Sequence, residues 1–290
     1  PECPMDPSIV AALDPRFYPA ASVHQENVEK HFGQALLREL DEGELQLLGG
    51  LDLFFVVFTN RSGSTYLTEI MHQMGAGVHP RAEYFNYDMV VTASEREGYR
   101  TFTDYLLQVI RDNHSNAMIG FKISIHQLFW ATRLGLLQPF RSVKLIESVR
   151  ADVLGQAVSH YKARATGRWH SLMPGGSDTP VEYSREEILR SLLVISNRTG
   201  LLNYYCAIHG LSRLEVVYES LLAEPLAEMA RLAAFLGMSD FDPAGVDMGA
   251  IGIQQQRNEE NERLRAAFIS DFYMPSEAAD EASPPRNPAA

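Results

Sequence analysis

A continuous apolar run that breaks into small hydroxyl residues and resumes at helical spacing has few structural solutions. Residues 51 to 75 have that form, reading LDLFFVVF, then TNRSGST, then YLTEIMHQMG. The first segment holds one charge, Asp52, among branched and aromatic side chains. That is the pattern of a strand buried on both faces of a parallel sheet. Ser62, Gly63, Ser64 and Thr65 then crowd into a tight turn. From there Tyr66, Leu67, Ile70, Met71 and Met74 recur at helical spacing, and Gly75 suits the helix end.

Strand, small-residue turn and helix start together make an anion cradle. The first turn of a helix carries unpaired N–H groups and a positive dipole end, and a residue without a side chain lets a phosphate reach them. Arg61 adds a fork that can bind phosphate or sulfate oxygens in pairs. The nucleotide-kinase signature is absent, because no Lys follows Gly63 and no earlier Gly stands at the required spacing. The plainer alternative is an ordinary strand–helix junction with a capping Ser.

The rest of the chain narrows the partners. With 25 Lys and Arg against 37 Asp and Glu, the net charge of −12 argues against a general binder of nucleic acid or anionic membranes. An acidic protein of this kind can hold an anion only where its arginines gather. Cys3 and Cys206 lie far apart and give neither a disulfide framework nor a metal-ligand spacing, so a reducing, cytoplasmic setting is expected. No apolar run reaches the length of a membrane span, and the start, PECPMDPS, does not read as a secretory signal.

Along the chain, residues 1–28 read as an irregular arm and 28–48 as one amphipathic helix. HPRAEYFNYD, residues 79–88, reads as a loop carrying Glu83 among aromatics, and 101–112 as a helix. MIGFKISI, 118–125, is a second buried strand whose Lys122 needs an anionic partner or an exposed sheet end. A helix over 126–137 precedes the third strand, 143–149, which ends at Arg150 beside the helix holding Ser159. The carboxyl edge of an open parallel sheet is where ligands bind. A surface pair with Asp152 is the plainer role for Arg150. Residues 170–183 are Gly- and Pro-rich and read as a lid; Ser184 and Glu187 form a capping box opening a helix to His209. LEVVYES reads as a fourth strand, a helix follows Pro225 and stops at Gly237, a last helix spans 259–273, and the tail from 275 has a disordered composition. The expected architecture is α/β, a P-loop-like parallel sheet flanked by helices, in a single domain over 29–274.

These residues resemble the PAPS-dependent sulfotransferases, closest to the bacterial branch typified by mycobacterial trehalose 2-sulfotransferase. NRSGSTYL resembles the 5′-phosphosulfate loop, AEYF the acidic–aromatic element after it, and IGFK the second-strand segment. VRADVLGQAVSHYKARATGRW resembles the 3′-phosphate corner, and VYESLLAEP…FLG is similar to a segment found widely among sulfotransferases. The five pieces come in consistent order over about residues 50–272. The resemblance implies that Arg61, Ser62, Gly63, Ser64 and Thr65 hold the 5′-phosphosulfate of PAPS, that Arg150 and Ser159 hold its 3′-phosphate, and that Tyr66 stacks on adenine. Gln256 and Arg257 are approximate equivalents of a C-terminal Arg-Gln pair, and Asn60 replaces the Pro or Gln often found before the loop arginine.

By the same resemblance Glu83 is the general base. A carboxylate is a weak base for an alcohol, so it acts late, as the S–O bond forms. Arg61 and Lys122 stabilise the transferring and leaving groups, with no metal required, and PAP is the product. His79, His126 and His160 are the alternative bases. The expected acceptor is a hydroxyl of a sugar or glycolipid, with a non-sugar alcohol as the alternative, and the resemblance allows a homodimer. Two further readings stay open: a P-loop nucleotide kinase, and a regulatory module that binds PAP or phosphate without chemistry.

Overall fold

In the computed structural model, residues 22–169, 180–252 and 258–272 are described. Most of the expected arm (1–21), most of the expected lid (170–179), Gln256, Arg257 and the C-terminal tail lie outside them.

Four strands form one parallel sheet: β1 (Asp52–Phe58), β2 (Met118–Ser124), β3 (Ser142–Val149) and β4 (Arg213–Val217), in the order β2-β1-β3-β4. The central strand β1 is buried along five consecutive residues, Leu53 to Val57, as the unbroken apolar run requires. Phe55 and Val57 face one core, with Phe121, Ile123 and Leu145, while Phe54 and Val56 face the other, with Ile70 and Met71. Burying one such side chain contributes about 1.5–3 kcal/mol, so the sheet centre is the most strongly held part of the chain.

The helices in chain order are α1 (Val23–Phe32), α2 (Glu42–Gly49), α3 (Ser64–Gln73), α4 (Tyr87–Glu97), α5 (Phe102–Asn113), α6 (Ile125–Arg133), α7 (Val153–Thr166), α8 (Arg185–His209), α9 (Tyr218–Ala223), α10 (Pro225–Leu236) and α11 (Glu259–Phe272). Three differ from the sequence expectation. The helix expected over 28–48 is two, starting inside the expected arm. Gly33 leaves the helical region at φ 55, and a capping box of Asp41 and Glu44 starts the second helix afresh. The loop expected over 79–88 gives way at Tyr87 to α4, a helix the sequence did not announce, whose buried residues are only Val90 and Ser94, too few to give an apolar period. The fourth strand stops at Val217, and Tyr218 and Glu219 open a helix at its carboxyl end.

The chain divides into two compact units. The first comprises residues up to Ala151 together with Ile195–Ile253 and holds the whole sheet. The second comprises Asp152–Val194 and the chain from Gln254, with a small core of Val158, Ile188, Leu264 and Phe268. Asp152 caps α7 in that unit by accepting from the Gly155 amide at 2.9 Å, and Arg265 pairs with it.

Candidate active site

The loop after β1 is shaped by two backbone conformations that few residues adopt. Arg61 sits at φ 67 and Gly63 at φ 94. Positive φ costs an ordinary side chain about 1–3 kcal/mol, so a loop holding two such residues is over-determined by its surroundings. The Ser62 amide donates to the Thr59 carbonyl at 3.1 Å, and the fully buried Ser62 hydroxyl donates to Ser148 Oγ of β3 at 3.0 Å. Gly63 is the N-cap of α3, which begins at Ser64, two residues before its apolar period shows in the sequence. A Cβ on Gly63 would stand 2.2 Å from the Tyr218 ring. Glycine is therefore demanded twice at one position, by φ and by contact.

Tyr218 is the residue that sequence reasoning missed here. Its ring touches Gly63, meets Tyr66 edge-on at 6.1 Å, and carries the Arg150 guanidinium 4.9 Å above its face. The one available signal was an aromatic at the carboxyl end of a parallel strand, but VVY extends the apolar run and disguises the strand's end. Arg150 leaves β3 and bonds Glu219 Oε1 at 3.3 Å, while the other Glu219 oxygen accepts from the Ala151 amide at 3.0 Å. The carboxylate it meets is thus Glu219, where the sequence had offered Asp152. Burial, then the nearby Arg150 charge, pulls the Arg61 guanidinium down to about 10. Arg61 stays protonated at neutral pH, and an anion placed here relieves that repulsion.

On the other side of β1, Lys122 lies opposite Val56 in β2 and is 5% exposed. Its ammonium donates to Thr65 Oγ1 at 2.9 Å, pairs with Glu83 Oε1 at 2.9 Å, and lies 5.1 Å from the Phe58 ring centre. The anionic partner a buried lysine requires is therefore Glu83. Asn86 Nδ2 donates to the other Glu83 oxygen at 2.8 Å, and Gln127 Nε2 to Asn86 Oδ1 at 2.8 Å.

The segment carrying Glu83 is anchored at several points. Thr68 Oγ1 donates to the Pro80 carbonyl at 2.6 Å, and Arg81 Nε bonds the buried Glu69 of α3 at 2.6 Å. Phe85 is buried edge-on against Phe121 at 5.4 Å. His79 Nδ1 accepts from the Arg81 and Ala82 amides at 3.1 and 2.8 Å, and burial lowers its pKa first, ahead of His72 and Arg81. A ring nitrogen spent on two amides is a turn-former rather than a base. His126 lies in the first turn of α6, its carbonyl accepting from Gln25.

Ser159 is half-buried on α7 in the second unit, next to the buried His160, whose ring lies 6.1 Å from Trp169. The structure thus brings Arg61, Ser62, Gly63, Ser64, Thr65, Tyr66, Glu83, Lys122 and Arg150 into the first unit, along the carboxyl ends of β1, β2 and β3. Among the described residues no group of three His, Cys, Asp or Glu could hold a metal ion, and no helix is long and apolar enough to cross a membrane.

Residues 133–267 match the family model Stf0 sulphotransferase. The matched span includes Arg150, Ser159 and Tyr218 and begins after the loop, Glu83 and Lys122. None of the curated proteins compared matches the chain. Among solved structures, it is similar to a sulfotransferase from Alicyclobacillus acidocaldarius, with 14% identity and a TM-score of 0.44 over 75% of this chain and 91% of that one. Sulfotransferase STF9 from Mycobacterium avium gives 12% identity and a TM-score of 0.43 over 94% and 85%. Mouse sulfotransferase SULT7A1 complexed with PAP gives 15% and 0.40 over 82% and 74%. Over residues 133–267, a little under half of its length, the chain follows the Stf0 sulphotransferase pattern.

Proposed function

We propose that this enzyme transfers the sulfuryl group of PAPS to a hydroxyl of a carbohydrate or glycolipid. The observation that carries the reading is Lys122. One buried ammonium is bonded at 2.9 Å to Thr65 of the anion loop and at 2.9 Å to the Glu83 carboxylate. It joins the place for a transferable anion to a group able to take a proton.

In this reading Arg61, Gly63 and the first amides of α3 hold the 5′-phosphosulfate. Arg150 and Ser159 take the 3′-phosphate, with Gln256 and Arg257 as further contacts, and Tyr66 packs on the adenine. PAPS supplies an activated sulfuryl group. Glu83 receives the acceptor's proton as the new O–S bond forms and the S–O bond to the 5′-phosphate breaks, and that bond's electron pair leaves with PAP. Glu83 Oε1 accepts from Lys122 and Oε2 from Asn86, and each keeps a lone pair for the hydroxyl. Lys122 offsets the charge on the transferring group. Such a reaction asks the protein for position and charge more than covalent help. The acceptor class rests on the resemblance of NRSGSTYL and AEYF to the trehalose-sulfating branch. A cytoplasmic setting and a homodimer belong to the same reading.

The test is thermal protection. PAP at a hundred times its Kd should stabilise the protein by about 2.7 kcal/mol, and ATP with Mg²⁺ far less. Equal or greater protection by ATP would move the assignment to a kinase. Transfer of labelled sulfate to sugars and to non-sugar alcohols then ranks the acceptors.

A further inference from the structure

A third guanidinium stands beside the loop without a role in this scheme. Arg198, on the part of α8 that belongs to the first unit, is half-buried, and burial lowers its pKa. Among the described residues its guanidinium meets one acceptor, Asn60 Oδ1 at 3.3 Å, and no carboxylate. A guanidinium has five donors, and one long bond to an amide oxygen leaves most of them unused. Taking such a cation even partly out of water is unfavourable unless an anion meets it. Two neighbouring cations of this edge each have a carboxylate: Lys122 has Glu83 and Arg150 has Glu219.

The location says which anion. Arg198 lines a small recess with Phe58, Thr59, Ile125 and Glu147. Glu147 is engaged by Arg213 at 3.2 Å. Ile125 opens α6 directly after β2, and Phe58 is the ring beneath the Lys122 ammonium. The recess therefore reaches from Glu147 of β3 across the end of β1 to the Phe58 ring, which neighbours the Lys122 ammonium that holds Glu83. Arg150 and Tyr218 stand at the β3–β4 edge. A cation on the Glu83 side is placed for the acceptor.

Resting on the sulfotransferase reading, we infer that Arg198 selects an acceptor that carries an anionic group, a carboxylate, sulfate or phosphate, besides the hydroxyl that is sulfated. The group would take the donors of Arg198 that Asn60 does not use. Asn60 holds the guanidinium in place until the acceptor arrives.

Matched pairs of compounds test this on the full chain loaded with PAP: glucuronate against glucose, glucose 6-phosphate against glucose, and 4-hydroxyphenylacetate against 4-methylphenol. Calorimetry on the wild type should give at least one charged member binding about tenfold or more tighter than its neutral partner, the size expected of a charged hydrogen bond. Arg198→Gln, which can still donate to Asn60, should erase that difference and leave PAP affinity unchanged. Arg198→Lys should keep part of it. Transfer of labelled sulfate from PAPS should show the same preference in kcat/KM. Equal binding within every pair by the wild type overturns the inference, and so does a preference that survives in Arg198→Gln. A loss of PAP affinity in Arg198→Gln would make Arg198 a donor contact and also overturn it. Failure of the wild type to bind PAP at all would instead remove the sulfotransferase reading on which it rests.

Discussion

The two sides of β1 handle charge in opposite ways. Toward β3, two guanidiniums, Arg61 and Arg150, stand close enough for one to depress the other's pKa, beside Tyr218 and Glu219. Toward β2, Lys122 and Glu83 neutralise each other at 2.9 Å. An anion therefore relieves strain on the first side and would have to compete with a carboxylate on the second. The difference teaches that one sheet edge can hold a binding half and a reacting half. The binding half keeps excess positive charge, and the reacting half keeps a carboxylate oriented by a cation.

The sharpest way to break that division is Glu83→Gln, which keeps shape and hydrogen bonding but cannot take a proton. Turnover should fall by about 10² to 10⁴ while PAP affinity stays, since general base catalysis contributes that much. Near-normal turnover would remove Glu83 from the chemistry. His126 would be the residue to test next, because His79 already spends Nδ1 on two amides.

Gly63→Ala attacks the binding half through the backbone. A methyl group at φ 94, overlapping the Tyr218 ring, should cost about 2–5 kcal/mol in a denaturant melt, from strain and overpacking together. A melt unchanged within error would mean that Tyr218 swings away freely and does not set the loop.

Arg150→Ala probes the same half by charge. PAP should bind more weakly by about 1.5–3 kcal/mol, while adenosine 5′-phosphosulfate, which lacks the 3′-phosphate, should bind as before. The Glu219 carboxylate left behind would add repulsion to the first ligand only. Equal losses for both nucleotides would make Arg150 a structural residue.

The smallest effect belongs to Glu147, on β3 beneath both halves. Burial pushes its carboxyl up to about 7, against the pull of Arg213. A carboxyl raised in the folded state holds its proton where the unfolded chain has lost it. Stability contributed there is present below about pH 4.5 and is lost as pH rises to about 7. Melting temperatures across that window should fall less in Glu147→Gln than in the wild type. Parallel curves would show that Glu147 is ionised throughout and satisfied by Arg213.

Legibility followed the physics of each element. Strands β1, β2 and β3 were readable because burial on both faces leaves a continuous apolar run, as in Leu53 to Val57. Helix α4 was not, because it buries only Val90 and Ser94 and shows no period. Tyr218 was hidden for the opposite reason, its apolar ring continuing a strand that ends one residue earlier.

By itself the sequence determined the cradle. A buried run, a residue free to take positive φ and a helix start are local facts, and local sterics and unpaired N–H groups enforce them. The family resemblance added candidate roles for Glu83, Lys122 and Arg150. Only the tertiary structure decided that Lys122 meets Glu83, that Tyr218 closes on Gly63, and that Arg198 meets an amide instead of a carboxylate. Those pairings follow from the strand order β2-β1-β3-β4, which brings distant segments to one edge. Contacts between segments so far apart leave no local period, cap or turn residue in the chain to announce them.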